Sequence, residues 1–225
     1  MEQETLFHLI ALGDKAADTL LKLRSDLDEW FETELLSHNK YHYLVALIDE
    51  YASPNDLPRV DIDETGKLKV FVIDISDEPR AKEWGNVLSY IWIPKEGQYG
   101  TVKDLFQIVC RDSLLVHGLI SFDFKDWRKL ASGANTIKIS TLHLDESSVL
   151  QLDEWPVDCT TDGKYLIVLG SPTFQKTQMD EYTKGLNTLY NRLPSDVLTY
   201  WTIVGKELAK EVAYIALIQL CDLAN

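Results

Sequence analysis

The chain has 225 residues, of which 45% are hydrophobic and 10% aromatic, and its 22 basic against 36 acidic side chains give a net charge of −14. That composition supplies a packed interior for one good-sized domain or two small ones sharing a core, and it excludes wholesale disorder. Lys and Arg are scattered rather than clustered, so the acidic excess argues against binding nucleic acid through its phosphates and against an anionic membrane surface.

The first residues, Met-Glu-Gln-Glu, lack the basic region of a secretory signal. No apolar run approaches the roughly 18 residues of a membrane helix, so no membrane insertion and a cytoplasmic protein are expected. The run from Leu6 to Gly13 predicts a strand, and a short loop, Leu12-Gly-Asp-Lys-Ala-Ala17, leads into an amphipathic helix from about Lys15 to Leu36. That helix carries Leu20, Leu23, Leu27, Trp30 and Phe31 on one face. A strand around Leu44 follows, then the Pro-containing loop Ser53-Pro-Asn-Asp-Leu-Pro58. Val60 and Ile62, the turn Asp63-Glu-Thr-Gly66 and the apolar strand from Leu68 to Ile75 predict a β-hairpin. Asp77-Glu-Pro-Arg80 is expected to open a short helix through Trp84.

Residues 100–118 read as a long helix covered from several sides, with Val102, Leu105, Phe106, Val109 and Val116 at helical spacing and Ile108, Leu114 and Leu115 on other faces. A loop follows, Gly118-Leu-Ile-Ser-Phe-Asp-Phe-Lys-Asp126-Trp, presenting two aspartates. Apolar strands are expected at Thr136 to Ser140, Lys164 to Gly170, Val197 to Gly205 and Val212 to Ile218. Between them runs a helix from Lys176 to Leu193 with Met179, Tyr182, Leu186, Leu189, Tyr190 and Leu193 at a 3.6-residue period, and the stretch from Leu144 to Asp162 reads as irregular. No repeat or Gly/Ser linker interrupts the chain, so the halves are expected to pack on the central helix as one unit, with a formal boundary near Gly100.

Several constellations have both a chemical and a plain structural reading. Asp61-Ile-Asp63-Glu-Thr65 matches the Asp-x-Asp-x-Thr motif of haloacid-dehalogenase-type phosphatases, which needs its first carboxylate at the end of a buried strand beside a bound Mg²⁺. The preceding Leu57-Pro-Arg-Val60 is too short for that strand, and a solvated acidic turn is the better reading. No Gly-x-Ser-x-Gly elbow occurs. His38 and His42 stand four residues apart but read as a surface pair, and His117 reads as a helix-terminal side chain. Cys110, Cys159 and Cys221 are too widely spaced for a zinc site or disulfide framework, so three reduced thiols and no metal are expected.

The long helix running into the loop with Asp123 and Asp126 resembles the tubulin/FtsZ superfamily, whose central helix ends in a loop of the pattern Gly-Leu-hydrophobic-Asn-hydrophobic-Asp-Phe-x-Asp. Asp123 and Asp126 match its acidic positions, and Ser121 stands where the family usually has Asn. The Ile-Pro step at Ile93-Pro94, the first strand and loop, and the order of the later strands extend the resemblance over most of the chain. It implies an α/β protein with a shortened Rossmann-like N-terminal half over residues 1–99, a central helix at 100–118 and an α+β C-terminal half at 119–225. The family's loop carboxylates enter the nucleotide pocket of the next subunit and help polarise the attacking water. The structural alternative is that Asp123-Phe-Lys-Asp126 caps a following helix, Trp127 to Ala131.

Where the chain departs from the family, it loses the phosphate site. That site needs glycine-rich loops, because only residues without side chains let backbone N–H groups close around phosphate oxygens. Here the first loop retains Gly13 followed by Asp14, and the second, Asp49-Glu-Tyr-Ala-Ser-Pro-Asn-Asp56, has no glycine and three carboxylates. The expectation is a chain without a cofactor and without catalysis in its own pocket, in which Gly13 and Asp14 mark a vestigial loop and Ser121, Asp123 and Asp126 an interface. It would act by protein–protein association, self-assembling or capping or regulating a polymerising FtsZ-like partner. The alternatives are a residual GTPase, a nucleotide-independent structural oligomer and, more remotely, the phosphatase.

Overall fold

The computed structural model describes residues 5–27, 41–115, 122–144, 163–170, 183, 186–187, 189–204 and 213–223. Near-continuous apolar runs suit strands covered on both faces, which in parallel sheets are joined by crossovers. The first half follows that rule: β1 (Thr5–Leu12), β2 (Tyr41–Ile48), β3 (Leu68–Asp74) and β4 (Val87–Trp92) lie side by side in chain order and all run parallel. The beginning of β5 (Gly133–Leu144) adds to β4, again parallel. Leu44, Ala46, Ile48, Val70, Val72, Trp84, Val87 and Tyr90 form the buried cluster of this half. Phe71 stands edge-on to both Phe7 and Tyr43.

Chain contacts divide the molecule into two compact units. The first is Met1–Lys103 with Ala131–Thr136 and Leu223–Asn225, and the second is Asp104–Leu130 with Ile137–Asp222. In the second, β6 (Gly163–Gly170) pairs parallel with β7 (Thr199–Val204) and antiparallel with β8 (Ala213–Asp222). Its core joins Tyr165, Ile167, Leu169, Ile203, Ile215 and Leu217 from these strands to Leu186, Leu189 and Leu193. The last three fall in the expected 176–193 helix, of which residues 183, 186–187 and 189–193 are described. Tyr190 shares their period but is 53% exposed, so it lies off the buried stripe, while Met179 and Tyr182 fall outside the described residues.

Helix α1 (Asp14–Asp26) buries Ala16 and Leu23, and Leu27 closes its end. The predicted continuation through Trp30 and Phe31 to Leu36 lies outside the described residues, as does most of the stretch read as irregular from Leu144 to Asp162. The hairpin expected at Val60 to Ile75 is reduced to one antiparallel bridge, Ile62 to Leu68, because both edges of β3 are already taken by parallel neighbours. The short helix expected after Asp77 is a series of turns. Pro79 has no N–H to give a helix, and the Arg80 N–H is donated to the Tyr90 hydroxyl instead of a helical carbonyl.

The central helix starts at Gln98 rather than Gly100. Helix α2 (Gln98–Asp104) continues directly into π-helical turns from Leu105 to Leu115, wider than the α geometry assumed from the sequence, and the Ser113 hydroxyl donates to the Ile108 carbonyl five residues back. Val102, Leu105, Phe106, Ile108, Val109 and Cys110 are all buried, as a helix covered on several sides requires. The wider turn also carries Asp112 inside. Its carboxylate accepts the Tyr214 hydroxyl at 2.5 Å and Arg111 Nε at 2.5 Å, yet burial still pushes its pKa upward. Val116, His117 and the rest of the loop to Ser121 lie outside the described residues.

Candidate functional site

The start of α1 is where a Rossmann-like half would be expected to hold an anion, since the first amides of a helix have no intrahelical acceptor and carry its positive end. In this chain two of those amides, of Lys15 and Ala16, are already engaged. The Asp49 carboxylate, with no exposed surface, accepts Lys15 N–H at 2.9 Å and Ala16 N–H at 3.3 Å through Oδ2. Its Oδ1 accepts Tyr51 N–H at 3.0 Å from its own loop. Gly13 makes room for this seat: it has φ +99, and a Cβ built on it would lie 1.9 Å from Asp49 Oδ1. The sequence marks Asp49 as a carboxylate that would repel phosphate. The structure gives it a more specific place, turned inward onto the N–H groups themselves. Asp14 projects outward and is exposed, so of the two residues marking the vestigial loop only Gly13 touches the seat.

Arg80 fixes the loop that presents Asp49. Its guanidinium donates to the carbonyls of Asp49 at 2.5 Å, Ala52 at 2.8 Å and Glu50 at 3.2 Å, while Nε lies 3.9 Å from the buried Asp74 carboxylate. Asp74 also accepts the Tyr90 hydroxyl and the Ser76 N–H. Burial and the Asp74 carboxylate beside it push the Tyr90 phenol far upward, so Tyr90 stays a neutral donor. Lys15 spends its ammonium on the Ile75 carbonyl at 2.5 Å. The open depression of about 790 Å³ beside this network is lined by Glu50, Asp77, Glu78 and Glu83 along with Arg80 and Lys82. It is therefore mainly acidic, and its one half-buried cation is committed to backbone carbonyls. Nothing in the sequence flags Arg80, which reads there as part of the opening of a short helix with no motif around it.

In the second unit Asp123 and Asp126 come together at the start of α3 (Phe124–Leu130). Asp126 N–H donates to Asp123 Oδ1 at 3.0 Å, and Asp123 N–H donates weakly to Asp126 Oδ2 at 3.5 Å. This reciprocal pattern is a capping box, in which each carboxylate satisfies the other residue's amide. The helix begins at Phe124, three residues before the expected Trp127, so Asp123 and not Asp126 is its cap. Asp123 is exposed and Asp126 half-buried. Tyr200 was not anticipated here. It meets Phe122 edge-on at 5.5 Å, and its phenol is shifted upward by burial, then by the Asp126 and Asp123 carboxylates. Ser121 lies outside the described residues.

The phosphatase-like motif resolves into a turn. Asp63 Oδ1 accepts Thr65 N–H at 2.9 Å, Thr65 Oγ1 at 2.7 Å and Lys67 N–H at 2.9 Å, so these atoms hold the chain reversal and not a reaction centre. Asp61 is exposed beside the bridge of Ile62, with no strand before it to bury it. Among the described residues no group of three or more His, Cys, Asp or Glu side chains is placed to hold a metal ion. Among the same residues no helix is long and apolar enough to cross a membrane.

An FtsZ mutant from M. jannaschii shares the architecture over 96% of this chain and 90% of its own, with a TM-score of 0.53 at 11% sequence identity. TubZ from Bacillus thuringiensis serovar israelensis, in a GTPγS-form protofilament, covers 97% of this chain at 13% identity with a TM-score of 0.44, and this chain spans 61% of it. The GDP-form protofilament structure of that TubZ gives 97%, 13% and 0.41, with 64% of its length spanned. No protein-family model and no curated protein sequence matches the chain. The fold is of the tubulin/FtsZ type.

Proposed function

We propose that this chain is a tubulin/FtsZ-type subunit that acts through protein–protein association without a nucleotide of its own. It would self-assemble, or cap and regulate a polymerising FtsZ-like partner. The observation that carries this reading is the Asp49 carboxylate on the Lys15 and Ala16 amides. A phosphate arriving there would meet a buried anion at hydrogen-bonding distance, where the two charges repel strongly in a medium less screening than water. The absent loop glycines point the same way and count against a residual GTPase. The acidic pair Asp123 and Asp126 remains at the surface of the second unit, where it would serve as the face offered to a neighbour. A subunit that offers this loop but binds no nucleotide would dock on one end of a GTP-bound polymer and stop its growth.

One observation favours the purely structural oligomer as a second reading. Trp201, 44% exposed, and Tyr190 flank a small apolar depression with Ile167 and Leu186, whose lining includes neither Asp123 nor Asp126. The two readings separate in one experiment. Light scattering of an FtsZ-like polymer from the same cell is followed with wild-type protein, Asp123→Ala or Asp126→Ala added, alongside thermal melts. Asp123→Ala should lose about 0.5–2 kcal/mol of stability, the usual worth of a helix cap, Asp126→Ala should lose less, and both should lose most of the effect on the polymer. Variants that act as strongly as wild type would remove the acidic pair from the working surface.

A further inference from the structure

We propose that the Asp112–Tyr214 hydrogen bond is a register pin: it holds the segment Leu105–Leu115 in π-helical turns, and without it the same segment rewinds into α-helix. The inference concerns this segment and its strand neighbours within the second unit, and it goes beyond the association reading. The π-helix, with its i→i+5 bonds, is rare and occurs mostly as a single turn inside an α-helix. Here it runs unbroken for 11 residues. Something outside the helix must favour it, and the apolar side chains cannot. Leu105, Phe106, Ile108, Val109 and Cys110 are all buried although they face in several directions, so rotating the segment exchanges one apolar contact for another. A two-register element results, whose choice falls to its polar groups.

Asp112 has no exposed surface, and a buried carboxylate is tolerated only where donors meet it. Of its two donors, Arg111 is its neighbour in the chain and turns with it, so that contact can be kept in either register. Tyr214 lies 102 residues away on β8 and donates its hydroxyl to Asp112 Oδ2 at 2.5 Å. Its ring sits over Gly170, its cross-strand partner on β6, where a Cβ would lie 2.2 Å from the ring. Two strands therefore fix the hydroxyl, and the helix must bring the carboxylate to it. Burial and then the Asp112 carboxylate push the Tyr214 phenol far upward, so it stays a donor. The Ser113 hydroxyl donates to the Ile108 carbonyl five residues back. In α turns it would reach the Val109 carbonyl, so it follows the register and does not set it.

The test reads the backbone acceptors directly, by NMR couplings across hydrogen bonds in the isotope-labelled full chain. In wild type the Cys110 N–H should couple to the Leu105 carbonyl, as i→i+5 bonding requires, whereas an α register would pair it with Phe106. Asp112→Asn keeps a carbonyl oxygen for Tyr214 and should keep the wild-type pattern. Asp112→Leu removes the polar group, and Tyr214→Phe removes only the hydroxyl and leaves the ring over Gly170. Both should stay folded, since apolar replacement of a buried ionic group is often neutral or stabilising, and both should move the acceptors by one residue. A merely structural contact would change the melting temperature of these two variants and leave the acceptors where they are. Either variant keeping the i→i+5 pattern overturns the proposal, as does an i→i+4 pattern in wild type or in Asp112→Asn. If Asp112→Leu fails to fold, Tyr214→Phe decides alone. Loss of folding in both also overturns it, because a pin that selects between two registers is not needed for a folded chain.

Discussion

Gly13 and Asp49 form one unit, and the backbone of Gly13 shows why. At φ +99 and ψ 162 it occupies a region essentially closed to residues with a side chain, at a cost on the order of 1–3 kcal/mol for a non-glycine residue. A Cβ there would also displace the Asp49 carboxylate from the α1 amides, leaving a buried charge without its donors. Gly13→Ala should therefore lower stability by about 2–4 kcal/mol in urea unfolding. Combining it with Asp49→Ala should cost less than the sum of the two single changes, because the clash is gone once the carboxylate is removed. Additive losses would mean that the two residues do not share the seat. The sequence pointed to Gly13 through the family pattern, but the role of Asp49 could not be read from it. Whether a loop carboxylate turns outward and repels, or inward and binds amides, depends on backbone geometry 33 to 34 residues away along the chain.

At the level of elements, the hydrophobic pattern was informative wherever one period applied throughout. The buried runs of β2, β3 and β6 and the stripe of Leu186, Leu189 and Leu193 were all legible because burial leaves few other places for such side chains. The pattern misled where a local rule was overridden. Strand β3 looked like half of a hairpin because turn residues precede it, but parallel neighbours on both sides compete more strongly than a local turn. The turns after Asp77 looked helical because nothing local announces that Arg80 is held by Tyr90 and by distant carbonyls. The π-helical turns from Leu105 were hidden because an apolar helix covered on many sides has no clean period to distort. Phe106 in that segment has no exposed surface, so Phe106→Asp combines the loss of a large buried side chain with an unpaired charge in a dry interior. The expected cost of about 5 kcal/mol or more rivals the whole stability of an ordinary domain, and circular dichroism should show no cooperative melt. A variant melting like wild type would place this helix at the surface.

For the molecule as a whole, each unit carries one half of the account. The first unit has its parallel sheet and helix start intact but satisfies its own anion seat with Asp49, while the second keeps an acidic pair that serves at least as the cap of α3. The acidic excess of the chain adds a long-range bias against nucleotide, which salt would screen. The blocked seat would not be relieved by salt, because it rests on contact between buried groups. Isothermal titration calorimetry of the wild-type protein with GTP and Mg²⁺, at low and at physiological ionic strength, tests this most directly. The account predicts no saturable heat up to millimolar nucleotide in either buffer. A stoichiometric signal with a micromolar Kd would contradict it.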